Sequence, residues 1–209
     1  MNEQESIIIL KNKLKFDDLS IIKVRKFLYF LLKYNKRYNL ISKNSEKEVW
    51  NRHILDSAQL VTFFNNNQSI RISDFGSGAG FPGIILGIFD SRFKFHVKLY
   101  EKSAVKRGFL SLIKDELGLK NIVIKDNVYE QTLSTDIIVC RAFKKLSEII
   151  RISREMVKKP HKLIILKGKN AQTEINKVSL DKNYSYKLSS SITDKYSKII
   201  LIDAKKNDS

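Results

Sequence analysis

The sequence predicts an α/β fold, a doubly wound and mostly parallel seven-stranded sheet with helices on both faces and a helical extension at the N-terminus. Two observations lead to this prediction. From residue 70 onward, short apolar stretches alternate with amphipathic ones, which is the pattern of consecutive strand–helix units. A turn with four glycines, at residues 76–83, separates the first apolar stretch from a helical one, as it does where such sheets bind ligands.

The N-terminal residues 1–66 are predicted to form helices that pack on the sheet. Residues 3–15 and 18–39 are amphipathic, with apolar side chains near the helical period and lysines or arginines between them. Ser45, followed three residues later by Glu48, matches a capping box and predicts a third helix that continues to residue 64.

The sheet itself is predicted within residues 67–204, and residues 205–209 are expected to be a disordered tail. Seven apolar runs predict strands, at residues 71–75, 96–100, 121–125, 136–140, 162–167, 184–188 and 198–203. Helices are predicted at residues 83–89, 104–117 and 146–157. Ligands in this architecture bind beyond the carboxyl ends of the strands.

The net charge of +17 is distributed unevenly along the chain. Residues 1–53 hold 12 basic and 6 acidic side chains, residues 54–140 hold 10 and 9, and residues 141–209 hold 17 and 7. Basic flanks around a nearly neutral centre favour a polyanionic partner, most simply a nucleic acid. The alternative is compositional bias, because lysine, isoleucine and asparagine are frequent throughout the chain.

Several classes of protein are disfavoured by what the sequence lacks. One cysteine and three scattered histidines provide neither an internal disulfide nor a cysteine- or histidine-based metal site, so we expect no metal. The polar N-terminus is unlike a signal peptide, and no apolar run is long enough to cross a bilayer. We therefore expect a cytoplasmic protein with no membrane partner.

The glycine turn predicts a cofactor that contains a nucleoside. Asp74 leads the spacing D-x-G-x-G-x-G through Gly76, Gly78 and Gly80, and Glu101 ends the next strand. This pattern is typical of S-adenosylmethionine-dependent methyltransferases, in which the second acid accepts hydrogen bonds from the ribose hydroxyls. No lysine or arginine lies in residues 74–90, in keeping with a ligand that has no pyrophosphate. The predicted fold is thus Rossmann-like and of the class I methyltransferase type. The alternative for the glycine turn is that it binds no cofactor and only packs a helix on a strand.

Separate motifs over residues 38–168 point to one family. The two most specific are Arg-His-Ile-Leu-Asp-Ser at residues 52–57 and Gly-Ala-Gly-Phe-Pro-Gly at residues 78–83. Shorter ones are Tyr-Asn-Leu-Ile at 38–41, Lys-Arg at 106–107 with Phe-Leu at 109–110, Leu-Gly-Leu-Lys-Asn at 117–121, Arg-Ala-Phe at 141–143 and Lys-Gly at 167–168. In this order they resemble the RsmG family, also called GidB, of bacterial small-subunit ribosomal RNA methyltransferases.

The resemblance implies methyl transfer from S-adenosylmethionine to N7 of a guanine in 16S rRNA, with the small ribosomal subunit as partner; we expect a monomer. Together with the loop and Glu101, it gives the predicted cofactor-binding residues: Asp74, Gly76, Ser77, Gly78, Gly80, Phe81, Glu101, Val128, Tyr129 and Arg141. The sequence departs from the family's motifs at two places. The family often has an Ala-Glu pair where Val128 and Tyr129 stand, and its Pro-Gly-Gly turn is Pro-His-Lys at residues 160–162.

Basic residues near the predicted ligand edge are the candidates for RNA contact. They are Arg52, His53, Lys106, Arg107, Lys167 and Lys169. The alternative for Arg52 is a surface ion pair with Asp56, four residues on, beside a packed His53. For Lys106 and Arg107 the alternative is a solvated helix face.

The implied chemistry needs alignment rather than a base, because guanine N7 carries no proton to remove. No residue is therefore assigned as acid or base, and Arg141, Arg52 and His53 are candidates for positioning only. Cys140 would be the nucleophile of a pyrimidine-C5 methyltransferase. It ends the apolar run at residues 137–140, so we expect a buried and inert thiol.

Three other functions are weighed against this one. They are a methyltransferase for another RNA, a nicotinamide-dependent oxidoreductase, and an RNA-binding module whose cofactor site is inactive. The oxidoreductase needs a phosphate-binding turn and leaves the basic flanks unexplained. The inactive module conflicts with the intact acids and glycines of the loop.

Overall fold

A seven-stranded sheet forms the centre of the computed structural model, which describes residues 1–64, 68–89, 94–129 and 132–205. Its strands are β1 (Ile70–Phe75), β2 (Phe95–Tyr100), β3 (Ile122–Lys125), β4 (Ile137–Arg141), β5 (His161–Lys167), β6 (Tyr184–Ser190) and β7 (Lys198–Ala204). The order across the sheet is β3-β2-β1-β4-β5-β7-β6. Strands β1 to β5 are parallel, and β7 lies antiparallel between β5 and β6.

The order of strands reverses at β1, which pairs with β2 on one side and β4 on the other. Such a reversal opens a crevice at the carboxyl ends of the two strands, since their connections leave on opposite sides. The glycine turn follows β1 at this edge, and Glu101 and Arg141 come at the ends of β2 and β4.

Two hydrophobic clusters cover the two faces of the sheet. In β4, Ile137 and Val139 belong to one cluster, and Ile138 and Cys140 to the other. Residues that alternate in this way are buried on both faces, which explains the continuous apolar run of a central parallel strand. The doubly wound sheet with helices on both faces is therefore as predicted.

Eight α-helices are present in the described part of the chain: α1 (Glu3–Asn12), α2 (Asp18–Tyr38), α3 (Lys43–Lys47), α4 (Asp56–Ala58), α5 (Gly83–Phe89), α6 (Ala104–Glu116), α7 (Leu146–Met156) and α8 (Ala171–Asn176). The first cluster joins the N-terminal helices to the sheet, for example through Phe27 and Ile54. The second contains the apolar stripes of α7 and α8. Helices of the N-terminal segment thus share a core with the sheet, and α8 is a helix that was not predicted.

The third helix of the prediction is wrong at its start and in its regularity. Ser42, not Ser45, has the extended backbone of an N-cap, and its side chain accepts a hydrogen bond from the Ser45 N–H. After α3 the chain forms a π-helical turn at Trp50–Leu55, then α4, then a 3-10 turn at Gln59–Phe63. A change of winding within one segment leaves no uniform period in the sequence.

Two predicted boundaries lie partly outside the described residues. The division between residues 66 and 67 falls in the gap at 65–67, and the predicted tail is described only at Lys205. The backbone N–H of Lys205 donates to the Asn183 carbonyl over 2.8 Å.

Candidate active site

A cavity of about 420 Å³ lies at the carboxyl ends of β1, β2 and β4. Predicted residues that line it are His53, Gly76, Ser77, Gly78, Phe81, Glu101, Lys106, Val128 and Arg141. Asp74, Gly80 and Tyr129 were predicted to bind the cofactor, and they do not line it. The cavity volume is within the range typical of small-molecule sites.

The glycine turn is fixed against the end of β2 by its backbone. The N–H groups of Gly76 and Ser77 both donate to the Tyr100 carbonyl, over 2.9 and 3.0 Å. Gly78 has φ +57, and a Cβ built there meets nothing closer than the Gly76 carbonyl oxygen at 3.9 Å. A side chain at Gly78 would therefore extend into open space on the cavity wall, the space that a bound ligand would use.

Glu101 joins the glycine turn to the start of α6. Its Oε2 accepts from the Gly78 N–H over 2.8 Å, and its Oε1 accepts from the Ser103 N–H over 2.8 Å. A carboxylate has about four acceptor positions, so each oxygen retains one for a further donor. Two ribose hydroxyls are donors that fit this remaining capacity.

Asp74 supports the loop from below instead of facing the cavity. Its side chain is fully buried, and Oδ2 accepts from the Gly83 N–H at the start of α5, over 3.0 Å. Burial raises the pKa of this carboxyl group to about 7. One carboxylate oxygen of Asp74 thus supports the start of α5, and its predicted contact with the cofactor stays a prediction.

Arg141 connects the cavity to the N-terminal helices. Its guanidinium donates to the Arg52 carbonyl over 2.7 Å and lies 3.6 Å from an Asp56 carboxylate oxygen. It also lies over the ring of Phe81, 5.3 Å from the centroid. Burial lowers the pKa of Arg141 and raises that of Asp56, so the loss of hydration outweighs their mutual attraction.

His53 is held as a neutral ring with a defined tautomer. Its Nδ1 lies 2.6 Å from Arg141 Nη2, which can only donate, so Nδ1 is the acceptor and Nε2 carries the proton. The ring stacks on Phe81 with centroids 4.8 Å apart. Burial, with Arg141 and Arg52 nearby, lowers the pKa of His53 to about 3. The side chain therefore contributes no positive charge at neutral pH.

The depressed pKa of His53 predicts a pH-dependent contribution to stability. Between about pH 3 and 6.5 the unfolded chain binds a proton that the folded chain excludes, so stability is lost as the pH falls through this window. The free energy of unfolding of the wild type, minus that of His53→Gln, should rise by at most about 1.4 kcal/mol per pH unit across it. Urea unfolding at several pH values measures this difference, and a constant value from pH 4 to 6.5 would contradict the assignment.

Some of the residues predicted to contact RNA are available to it, and others are engaged within the protein. Arg52 is exposed, and Lys106 reaches the cavity wall. Arg107 donates to the carbonyls of Glu101 and Lys102 and so supports the end of β2. The Lys167 ammonium is paired with Glu174 at 2.8 Å and is only 13% exposed. Lys169 is exposed but does not line the cavity.

Other cavity residues were not predicted. Leu40 and Ile41 line it from the end of α2, and Phe143 lies so close to Gly76 that an added Cβ would be 2.5 Å from its ring. Both sites lie in motifs at residues 38–41 and 141–143 that the sequence analysis noted without giving these residues a role. Ala142, between Arg141 and Phe143, has φ +50 and also lines the cavity.

Cys140 lies away from this chemistry. Its thiol is fully buried in the hydrophobic cluster shared with α7, and burial raises its pKa. Within the four described stretches, no group of three or more His, Cys, Asp or Glu side chains is placed to hold a metal ion. No helix in those stretches combines the length and hydropathy that a membrane span requires.

Comparison with known proteins identifies close relatives over most of the chain. A family model described as GidB, rRNA small subunit methyltransferase G, matches residues 20–201. The ribosomal RNA small subunit methyltransferase G of Orientia tsutsugamushi (strain Ikeda) is 36% identical over 180 residues, 86% of this chain and 88% of that protein. The protein of the same name from Rickettsia bellii is 37% identical over 183 residues, 87% and 92% of the two chains.

Solved structures resemble the fold at low sequence identity. The cofactor-bound protein Rv0187 from MTB aligns with a TM-score of 0.64 and 11% identity, covering 97% of each chain. An S-adenosylmethionine-dependent methyltransferase from Aquifex aeolicus aligns with a TM-score of 0.56 and 14% identity, covering 83% of this chain and 97% of that one. The class I methyltransferase fold predicted from the sequence is confirmed.

Proposed function

The chain belongs to the GidB family of rRNA small subunit methyltransferases, which are S-adenosylmethionine-dependent enzymes, and we propose that it methylates N7 of a specific guanine in 16S rRNA. The observation that carries the proposal is the wall formed by Arg141 and His53 beside the Gly78–Glu101 contact. This wall borders the cavity predicted to bind the nucleoside, and neither Arg141 nor His53 is placed to remove a proton from a substrate. A ring nitrogen that has no proton is the acceptor that suits such a wall.

The residues of the cavity fit the cofactor. Glu101 would accept hydrogen bonds from the ribose, and Gly78 leaves the space that a nucleoside needs next to the backbone. Phe81 and Val128 supply apolar surface on the same wall. When bound, S-adenosylmethionine supplies an electrophilic methyl group on a positively charged sulfur.

The chain's own residues act by positioning. Arg141 is fixed by hydrogen bonds to the Arg52 carbonyl and to His53, so it presents its remaining donors in a defined direction. A donor aligned with guanine O6 would orient N7, which is its neighbour on the same edge of the base. The neutral state of His53 avoids adding a second cation next to a ring that becomes positively charged on methylation. The buried Cys140 thiol argues against covalent catalysis at a pyrimidine.

The reaction is tested with labelled S-adenosylmethionine and 16S rRNA or small subunits from cells that lack the enzyme. We expect label in one guanine, at a position that becomes sensitive to borohydride reduction and aniline cleavage, the chemistry specific to N7-methylguanine. Label in a pyrimidine or on an exocyclic amine would contradict the proposal. Calorimetry with NAD separates the oxidoreductase alternative, which requires NAD to bind and S-adenosylmethionine not to.

We also propose that the enzyme acts as a monomer in the cytoplasm, where ribosomal subunits are found. Analytical ultracentrifugation under the conditions of the activity assay measures the mass of the active species. A dimer as that species would contradict the proposal.

Arg52→Ala should weaken rRNA binding in a salt-dependent way. The Arg52 side chain is 57% exposed and its ion pair with Glu48 is long, at 3.5 Å, so the cation is available to a phosphate. We expect the slope of log K against log salt concentration to become less steep by about 1. Filter binding at several salt concentrations measures it.

Arg151→Ala is the matched control for this variant. Arg151 is 58% exposed and also pairs with a glutamate four residues away, but it lies on α7 and lines neither the cavity nor its surroundings. Its salt slope should equal that of the wild type. Equal slopes for all three proteins would remove Arg52 from the RNA-binding surface.

A further inference from the structure

A second cleft, of about 710 Å³, adjoins the cofactor cavity. It lies between the helical segment at residues 45–56, the end of β4 and the turn that joins β6 to β7. The cleft and the cavity share four lining residues, Ser45, His53, Arg141 and Ala142. A ligand in the cleft is thus separated from the cavity only by the side chains of one wall.

We propose that this cleft receives the acceptor nucleotide of the rRNA, with its base turned toward the shared wall; the inference rests on the function proposed above. Methyl transfer requires the acceptor atom and the methyl group to be in contact, so the acceptor must approach next to the cofactor cavity. An enzyme that modifies a base takes it out of the stack into a pocket. The cleft is the adjoining space of suitable size.

The lining of the cleft has the mixed polarity that a nucleotide needs. Arg52 and Arg141 supply donors for phosphate and for O6, and Glu48, Asp56 and Asp194 supply acceptors. A guanine has acceptors N7 and O6 on one edge and an amino donor on another, so it requires both kinds of partner. An apolar ligand would leave these charged groups without water or a partner.

Two residues that line the cleft each hold a buried polar atom that has no partner among the described residues. The atoms are Asn51 Oδ1, an acceptor, and His53 Nε2, which carries the ring proton and is a donor. Asn51 lines the cleft and not the cofactor cavity. An unsatisfied buried group is costly. A substrate toward which these two side chains turn would supply the missing donor and acceptor and relieve that cost.

The far wall of the cleft is fixed before any ligand binds. Asn51 Nδ2 donates to the Thr193 carbonyl over 3.2 Å, and the Thr193 hydroxyl donates to Asp56 over 3.1 Å. Gln59 accepts from the Ile192 N–H over 2.9 Å. These bonds hold the β6–β7 turn against the helical segment, so the cleft is preformed.

The test is to fill the cleft and compare the result with removal of the same contacts. Ser197 lines the cleft but not the cofactor cavity, and its hydroxyl donates to Asp194 over 3.1 Å. Ser197→Trp loses this bond and occupies the cleft, whereas Ser197→Ala only loses the bond. With rRNA as substrate we expect kcat/KM to fall about 100-fold in the tryptophan variant and to stay near wild type in the alanine variant. Calorimetry should give the same affinity for S-adenosylmethionine in all three proteins.

Two further variants secure the interpretation. Glu48→Trp fills the cleft from the opposite, exposed wall and should act like Ser197→Trp. Ser185→Trp places the same residue at an exposed position of the edge strand β6 and should be fully active. Unchanged cofactor binding shows that a variant is folded.

The outcomes separate this inference from the function on which it rests. A wild-type protein that does not methylate rRNA overturns the proposed function. A wild-type protein that is active, together with equally active tryptophan variants at 48 and 197, overturns the cleft assignment alone. Loss of cofactor affinity in both tryptophan variants, with urea unfolding like that of the wild type, overturns it too, because the cleft would then belong to the cofactor site.

Discussion

Gly78→Val is expected to lower the affinity for S-adenosylmethionine by about 10- to 100-fold, the equivalent of roughly 1–3 kcal/mol of overpacking. The valine side chain would occupy the cavity wall that Gly78 leaves open, next to Glu101. A β-branched residue at φ +57 also strains the folded chain in the presence and absence of ligand. Calorimetry measures the affinity, and urea unfolding measures the strain.

Gly118→Val is the control that separates the two effects. Gly118 has φ +59 and nothing within 4 Å of an added Cβ, but it lies in the turn after α6 and does not line the cavity. Both variants should lose about 1–2 kcal/mol of stability from the strained backbone. Gly118→Val should keep the wild-type affinity for S-adenosylmethionine. Equal affinities in the two variants would show that the glycine turn does not contact the cofactor.

Arg141→Met is expected to reduce both methyl transfer and the free energy of unfolding, the latter by about 3 kcal/mol. The substitution removes the donors to the Arg52 carbonyl and His53 and leaves the Asp56 carboxylate without its cation. The expected loss is at the lower end of the range for buried pairs because the two side chains are still 19% and 17% exposed. Urea unfolding measures the loss.

A double variant tests why the loss arises. Burial lowers the pKa of Arg141 and raises that of Asp56, so neither charge is fully compensated by the other. Arg141→Met combined with Asp56→Leu removes both charges and should be more stable than Arg141→Met alone. The surface variant Arg151→Met should leave the unfolding midpoint unchanged, since its ion pair is exposed to water. A double variant less stable than the single one would contradict this account.

The sequence predicted the parallel strands well because central strands have a simple signal. In β4 both faces are buried, and the run of four apolar residues at 137–140 marks it within one residue of its observed start. The edge at which the cavity lies was predicted from the alternation of strands and helices. Neither conclusion required knowledge of how side chains meet.

The segment at residues 42–64 was predicted less well for a physical reason. Ser42 and Ser45 are both suitable caps, and the choice depends on which backbone is extended. The π-helical turn at Trp50–Leu55 shifts the register of the side chains, and a fixed helical period does not reveal such a shift. This turn carries Arg52 and His53, so the error fell on part of the candidate site.

The direction of charged side chains was the other feature that the sequence did not reveal. Asp74 leads the glycine turn in the expected spacing, but its carboxylate points to the Gly83 N–H beneath the loop. Lys167 ends β5 near the predicted edge, but Glu174 on the unpredicted helix α8 binds its ammonium. Both outcomes depend on contacts between distant residues, which local pattern does not contain.

The turn between β6 and β7 also bears on how the protein is made. Its hydrogen bonds to Asn51 and Gln59 join residues 142 and 132 positions apart in the chain. During translation the helical segment emerges early, and the turn that fixes it follows only after strands β1 to β6 have been synthesised. The wall that positions Arg141 is therefore completed late. A nascent chain that already contains the glycine turn and Glu101 still lacks residues 191–197, and without them the wall is not fixed.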